Sequence, residues 1–284
     1  MKIAIIGNCQ VPGLACCMRK MLPTAVVDPF FLTAMTADNL AAFYSNIESY
    51  DHVFTQPINA VGHALHTQHL RGKAVELHLV PTITFAGFHP DVILIPGYQS
   101  AAGNYHSAIV VISYLLGLPW TRAARLFNAY IYGSLGYFGS YEISRQFILA
   151  AGRKTGYDLT RELTHWETLG VFMHTVNHPR QEVLASLART LAVGAELVDA
   201  DAPTPELAND YFATHGVIWP VYPEIAKQLN LTAKGSLLLR TPNRTLELEQ
   251  FVSESYSVYD SVSKDLLETC VGDFGRVLKQ LIIS

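Results

Sequence analysis

The stretch that most limits how this chain can fold is its first dozen residues, Met1-Lys2-Ile3-Ala4-Ile5-Ile6-Gly7-Asn8-Cys9-Gln10-Val11-Pro12. The apolar run Ile3 to Ile6 fits a buried strand. Gly7-Asn8 behind it favours a sharp turn, because both residues tolerate positive φ. Cys9 and Gln10 then fall on the turn, and Gly13 to Met21 is apolar enough for a packed helix. Such a strand, turn and helix deliver a thiol and an amide to the carboxyl end of a strand, the edge of an open α/β sheet where ligands bind. Backbone N–H groups and the positive helix end at that edge are expected to lower the thiol pKa. A buried, inert cysteine is the competing reading.

The same alternation continues. Ala25 to Asp28 reads as a second strand, followed by a loop over Pro29 to Thr36 and a helix through Asn39 to Ile47 capped from Thr36-Ala37-Asp38-Asn39. Tyr50 to Thr55 reads as a strand handing Gln56 to a loop, with Pro57 stopping it. Glu76 to Pro81 and Val92 to Pro96 add two short strands, so the pattern predicts a parallel α/β sheet. From Asn104 to about residue 165 the texture becomes helical: Ala108 to Leu118, Trp120 to Tyr132 and Tyr141 to Ala151, broken by a glycine-rich stretch at Gly133 to Gly139. Thr168 to His174 reads as a strand, with a helix over Arg180 to Ala192 after Pro179 at its start. Ser236 to Leu239 is a further strand. Terminal helices carry Leu248, Phe251, Val252, Tyr256, Leu266, Leu267, Val271, Phe274, Val277 and Leu278 toward the core. The expected architecture is one α/β domain over 1–284, a parallel sheet with a helical insert at about 104–165 and a helical carboxyl-terminal region.

Half of the 284 residues are hydrophobic and 15% are charged, a balance that builds a core and excludes a disordered chain. A formal charge of −4 gives no general attraction to nucleic acid, so an anionic ligand needs local bases. Arg153 and Lys154, in a glycine-flanked Gly152 to Gly156 loop, are the cofactor-binding candidates of that kind; Walker and GxGxxG spacings are missing. The apolar runs are too short to span a bilayer, and the amino terminus carries no export signal. Cysteines at 9, 16, 17 and 270 show no CxxC or zinc spacing, which fits reduced thiols in a cytoplasmic protein. No metal site is expected, since His174 and His178 are separated by a turn and do not share a helix face.

Cys9, Gln10, Gln56, His89, His106, His174, Asn177 and His178 all fall in loops or at element ends, where a rigid scaffold places working groups. Two schemes use these residue types. A cysteine beside a histidine can act as a thiolate nucleophile. Alternatively, a histidine deprotonates a hydroxyl that attacks a thioester, while amides and turn N–H groups hold the oxyanion.

Taken in order, Ile5-Ile6-Gly7-Asn8-Cys9-Gln10, Gln56-Pro57-Ile58, His89-Pro90-Asp91, Tyr105-His106-Ser107 and His174-Thr175-Val176-Asn177-His178-Pro179 resemble the WcbI family of polysaccharide-biosynthesis proteins. The set covers roughly the first two thirds of the chain. This resemblance implies O-acetylation of a capsule sugar and binding of coenzyme A, with acetyl-CoA as substrate. It implies Cys9 and Gln10 in the active site and His106, His174 and His178 as catalytic candidates near it. Asn8, Gln56, Tyr105 and Asn177, in the same motifs, are candidates for holding the cofactor. A looser similarity to SGNH-type hydrolases rests on the first strand and turn, where Asn8-Cys9 replaces Asp-Ser. The expectation is therefore an acetyl-CoA-dependent O-acetyltransferase acting on a sugar or capsular precursor. A thioesterase or carbohydrate esterase, and a CoA-binding protein without chemistry, are the alternatives. The last eighty or so residues match no motif.

Overall fold

The computed structural model describes residues 1–60, 62–95, 97–232, 235–261 and 263–283; in the last helix the side chains at 266, 270, 272–276, 279, 282 and 283 are outside the description. The expectations for Pro96, Leu266, Cys270 and Phe274 therefore lie outside the described residues. The chain divides into two compact units. One comprises Met1–Thr84, Gln146–Phe172 and Asn177–Thr214; the other comprises Phe85–Arg145, Met173–Val176 and His215–Ser284. Of the expected helical insert, residues 104–145 fall in the second unit and 146–165 in the first.

The first unit is built on a four-stranded parallel sheet of β1 (Lys2–Gly7), β2 (Val26–Phe31), β3 (His52–Thr55) and β4 (Leu77–Leu79), in the order β2-β1-β3-β4. Ile3 to Ile6 are fully buried because β1 is paired on both edges and covered on both faces. On one face Ala4, Ile6 and Val53 pack with Phe43, Ile47, Tyr50 and Leu70. On the other, α1 (Val11–Met21) packs on the helix Gln181–Gly194. Gly13 permits that approach, since a Cβ there would lie 2.6 Å from Leu184 Cδ1. From β1 the chain steps outward to β2 and then returns to β3 on the opposite side. The gap between β1 and β3 is thus the switch point at which such sheets leave a crevice.

Several local expectations change here. The strand expected to end at Asp28 continues through Pro29 to Phe31. As β2 is an edge strand, a missing proline N–H costs no ladder bond on its outer side, and Arg19 Nε donates to the Val27 carbonyl at 3.0 Å. Thr36 does cap α2 (Ala37–Asn46), its hydroxyl accepting from the Asn39 N–H. Gly152 to Thr155 are not a loop: the helix Ser140–Thr155 runs through them. Thr168 ends a helix, Thr160–Thr168, and only Met173–Thr175 is extended. Pro179 precedes the helix Gln181–Gly194, whose cap position is Arg180.

In the second unit, β5 (Val92–Leu94) and β6 (Tyr105–Ser107) form an antiparallel pair, so Val92 to Leu94 do not extend the parallel sheet. The Ser107 hydroxyl accepts from the Val110 N–H and starts α3 (Ala108–Leu115), buried on every side through Tyr114. Residues 120–132 form two short helices, Trp120–Ala124 and Ala129–Ser134, because Asn128 caps the second with its side-chain oxygen. The helices Leu248–Tyr259 and Lys264–Ile283 pack on α3. At the centre of this unit Asp91 is fully buried and accepts from the hydroxyls of Tyr137 (2.9 Å) and Tyr222 (2.8 Å) and the Ile109 N–H (3.0 Å). Among the described residues, no helix is long and apolar enough to cross a membrane.

Candidate active site

The turn after β1 is held by amides. Asn8 folds its side-chain oxygen onto the Gln10 N–H at 2.9 Å, an Asx-type turn that precedes the first helical residue, Val11. Gln56, arriving from the end of β3, accepts from the Asn8 N–H at 2.8 Å across the switch point. Gly7 makes room for it: a Cβ there would lie 2.3 Å from Gln56 Oε1. Gln10 is buried and its amide is saturated. Its Nε2 donates to the carbonyls of Ile83 (2.6 Å) and Asn177 (2.9 Å), and its Oε1 accepts from the Ile83 N–H (3.2 Å) and Gln56 Nε2 (3.5 Å). An amide has two N–H donors and two acceptor lone pairs, so this arrangement leaves none for a ligand.

Cys9 is left half-buried at the centre of this lattice. Asn177 Nδ2 points at its sulfur from 3.7 Å, and the Cys9 backbone N–H also favours negative charge there. Burial nevertheless dominates and pushes the thiol up to about 11. The expected lowering by the helix start does not occur, since desolvation outweighs the N–H contribution. The proline at position 12 also removes one donor from the first turn. At neutral pH the group is a thiol, with both N–H donors turned toward its sulfur. Cys17, by contrast, is core, with Gln181 Nε2 against its sulfur at 2.9 Å.

In the same unit His178 is buried flat against Phe212, ring centroids 4.1 Å apart at 13°. Arg153 and Lys154 lie exposed in the last turn of their helix. With the backbone there committed to the helix, no backbone cradle for phosphate exists at that point, and only the side chains remain as ligands. A cleft of about 650 Å³ runs beside β2, lined by Phe30, Phe31, Met35, Asn39, Phe43 and Tyr50 among others; neither Cys9 nor Asn177 lines it.

The remaining sequence candidates belong to the second unit. His106 is fully buried, stacked on Tyr259 and bonded to its hydroxyl through Nδ1 at 2.8 Å; burial lowers its pKa to about 4. Tyr105 is buried on the same strand, its carbonyl accepting from the Ser100 hydroxyl. His174 is buried, and its carbonyl accepts from the Trp219 N–H at 2.8 Å. The lattice around Cys9 thus brings together Asn8, Gln10, Gln56 and Asn177, while His106, His174 and Tyr105 belong to the other unit. Sequence reasoning missed Ile83, whose backbone anchors Gln10, and Asp91. The rule that singled out Gln56, a polar or backbone group just past a strand end, applies equally to Ile83 after β4. Among the described residues, no three His, Cys, Asp or Glu side chains are grouped to hold a metal ion.

A family model described as WcbI, a polysaccharide biosynthesis enzyme, matches residues 2–197. A search of curated proteins finds no match. A solved structure described as WcbI, a novel polysaccharide biosynthesis enzyme, in its native form without a disulfide bond between CoA and a cysteine, is similar in fold. Its TM-score is 0.78 at 13% identity, over 98% of this chain and 97% of that one.

Proposed function

Since the chain belongs to the WcbI family of polysaccharide biosynthesis enzymes, we propose that it is an acetyl-CoA-dependent O-acetyltransferase acting on a hydroxyl of a sugar or polysaccharide precursor. The observation that carries this reading is the pair of N–H donors, Asn177 Nδ2 and the Cys9 backbone, converging on a sulfur that burial keeps protonated. A thiol near 11 is a poor nucleophile at neutral pH, whereas two fixed donors suit the oxygen of a thioester carbonyl as negative charge develops on it. The mention of coenzyme A together with a cysteine for that structural relative is consistent with a thioester donor; here it is a substrate, and Arg153 and Lys154 are the side chains proposed for its phosphates.

The chemistry then assigns each residue a task. The acceptor hydroxyl forms the new C–O bond as the C–S bond of the thioester breaks. A histidine takes the hydroxyl proton and returns it to the departing sulfur. The candidates for that base are His106, His174 and His178. Gln10 and Gln56 hold Asn8, Ile83 and Asn177 in place and do not touch the reacting atoms. The same residues with water as acceptor would make a thioesterase. Measuring CoA release from acetyl-CoA with and without a panel of sugar acceptors tests the choice: transfer requires acceptor-dependent release, and equal release without acceptor overturns it.

A further inference from the structure

The first unit holds an arginine that no role above uses. Arg180 stands at the cap position of the helix Gln181–Gly194, its N–H donating to the Phe172 carbonyl at 2.9 Å and its carbonyl accepting from the Val183 and Leu184 N–H groups. The side chain is half-buried, and its Nε is enclosed with no hydrogen-bond partner and no ion pair among the described residues. The other half-buried arginines of the described residues are engaged: Arg145 donates to the Glu142 carboxylate at 3.1 Å, and Arg189 donates to the carbonyls of Ala202 (2.6 Å) and Ala200 (2.5 Å). Asp210 comes close in the chain contacts, accepting from the Gln181 N–H (3.2 Å) and the Ala213 N–H (3.0 Å), yet forms no pair with the guanidinium. The surroundings are short of acceptors. Phe172, which takes the Arg180 N–H, also packs its ring on Trp166, centroids 6.4 Å apart, and the Trp166 indole N–H is buried without a partner as well. Enclosing a cation without an acceptor is unfavourable, and so is a positive charge at the positive end of a helix. An oxyanion beside Arg180 relieves both.

The chain ties this cation to the thiol lattice. Asn177, whose amide faces the Cys9 sulfur at 3.7 Å, stands three residues before it, and Gln181, the residue after it, reaches the Cys17 sulfur at 2.9 Å. Three residues of extended chain span at most about 10 Å. We propose that Arg180 binds an oxyanion, carboxylate or phosphate, carried by the acceptor, which makes the acceptor an acidic sugar or a sugar phosphate. The planar guanidinium presents paired N–H donors that match either group. The phosphates of the donor fit less well, because coenzyme A holds them the length of its pantetheine arm away from the sulfur, whereas a substituent of the acceptor ring stays close to the attacking hydroxyl. This inference rests on the reading of the chain as a sugar O-acetyltransferase.

The test compares transfer from saturating acetyl-CoA to glucose, glucuronate and glucose 1-phosphate by the full chain, by Arg180→Gln and by Arg180→Lys. Wild type favours an anionic acceptor over glucose by about tenfold or more in kcat/KM, and the more favoured of the two anions tells carboxylate from phosphate. The glutamine variant loses that preference through the acceptor KM while the KM for acetyl-CoA holds, and the lysine variant keeps part of it. A raised KM for acetyl-CoA with the acceptor preference intact assigns Arg180 to the donor phosphates and overturns the proposal, as does an equal loss on glucose. Binding is read apart from chemistry by melting temperature at fixed ionic strength: the favoured anionic sugar raises it for wild type and not for Arg180→Gln, and glucose raises neither. If this shift is present and no acceptor supports transfer, the transfer reading fails and the anion site stands; a missing shift overturns the site. Without ligand, Arg180→Gln melts no lower than wild type, because the guanidinium has no bond to lose. A drop of several degrees marks a structural arginine and overturns the proposal.

Discussion

At the scale of single residues, the site depends on which of two opposing effects sets the state of Cys9. The helix start and Asn177 favour a thiolate; burial favours the thiol and wins. Peptide-resolved alkylation by iodoacetamide should therefore be slow at Cys9 at pH 7.5 and rise steeply only toward pH 11, which mass spectrometry can follow separately from the half-buried Cys16. Rapid labelling of Cys9 at neutral pH would restore the nucleophile reading. The residue types needed here were legible in the sequence, since Cys9, Gln10, Gln56 and Asn177 all stand at element ends. Their division of labour was not. Nothing in the string Gly-Asn-Cys-Gln says that the Gln10 amide is consumed by Ile83 and Asn177, partners 73 and 167 positions away.

At the scale of elements, Gln10 fastens the start of α1 to the segment after β4 and to the loop at Asn177. Removing it takes a hydrogen-bond partner from the Ile83 and Asn177 carbonyls, the Ile83 N–H and Gln56 Nε2. Gln10→Ala should cost on the order of 3 kcal/mol and lower the melting temperature by roughly 6–12 °C in calorimetry. An unchanged melting temperature would show that these groups find other partners. Periodicity and capping signals located the elements of the parallel sheet well, because β1, β3 and the Thr36 cap follow local rules. It failed where tertiary context decides. Pro29 is tolerated because β2 is an edge, and Val92 to Leu94 pair with Tyr105 to Ser107 because their partner is a hairpin neighbour, which no local pattern reveals.

For the molecule as a whole, the two compact units carry different polar devices, an amide lattice in one and the Asp91 knot in the other. The Asp91 carboxyl is raised by burial to about 6 despite its four donors. A folded-state pKa above the unfolded value means that its contribution is fully present below about pH 4 and is lost as pH rises through 6. Wild type should accordingly lose on the order of 3 kcal/mol relative to Asp91→Asn between pH 4 and 7; parallel stability curves by denaturant titration would contradict this. The central claim concerns chemistry at the other device, that two N–H donors at Cys9 hold the developing charge of a thioester. Its most direct test is the acetyl-transfer rate of Asn177→Ala, measured alongside CoA binding by calorimetry. The account predicts a fall in kcat of about 10²–10³-fold with CoA affinity retained. A rate within twofold of wild type would contradict it.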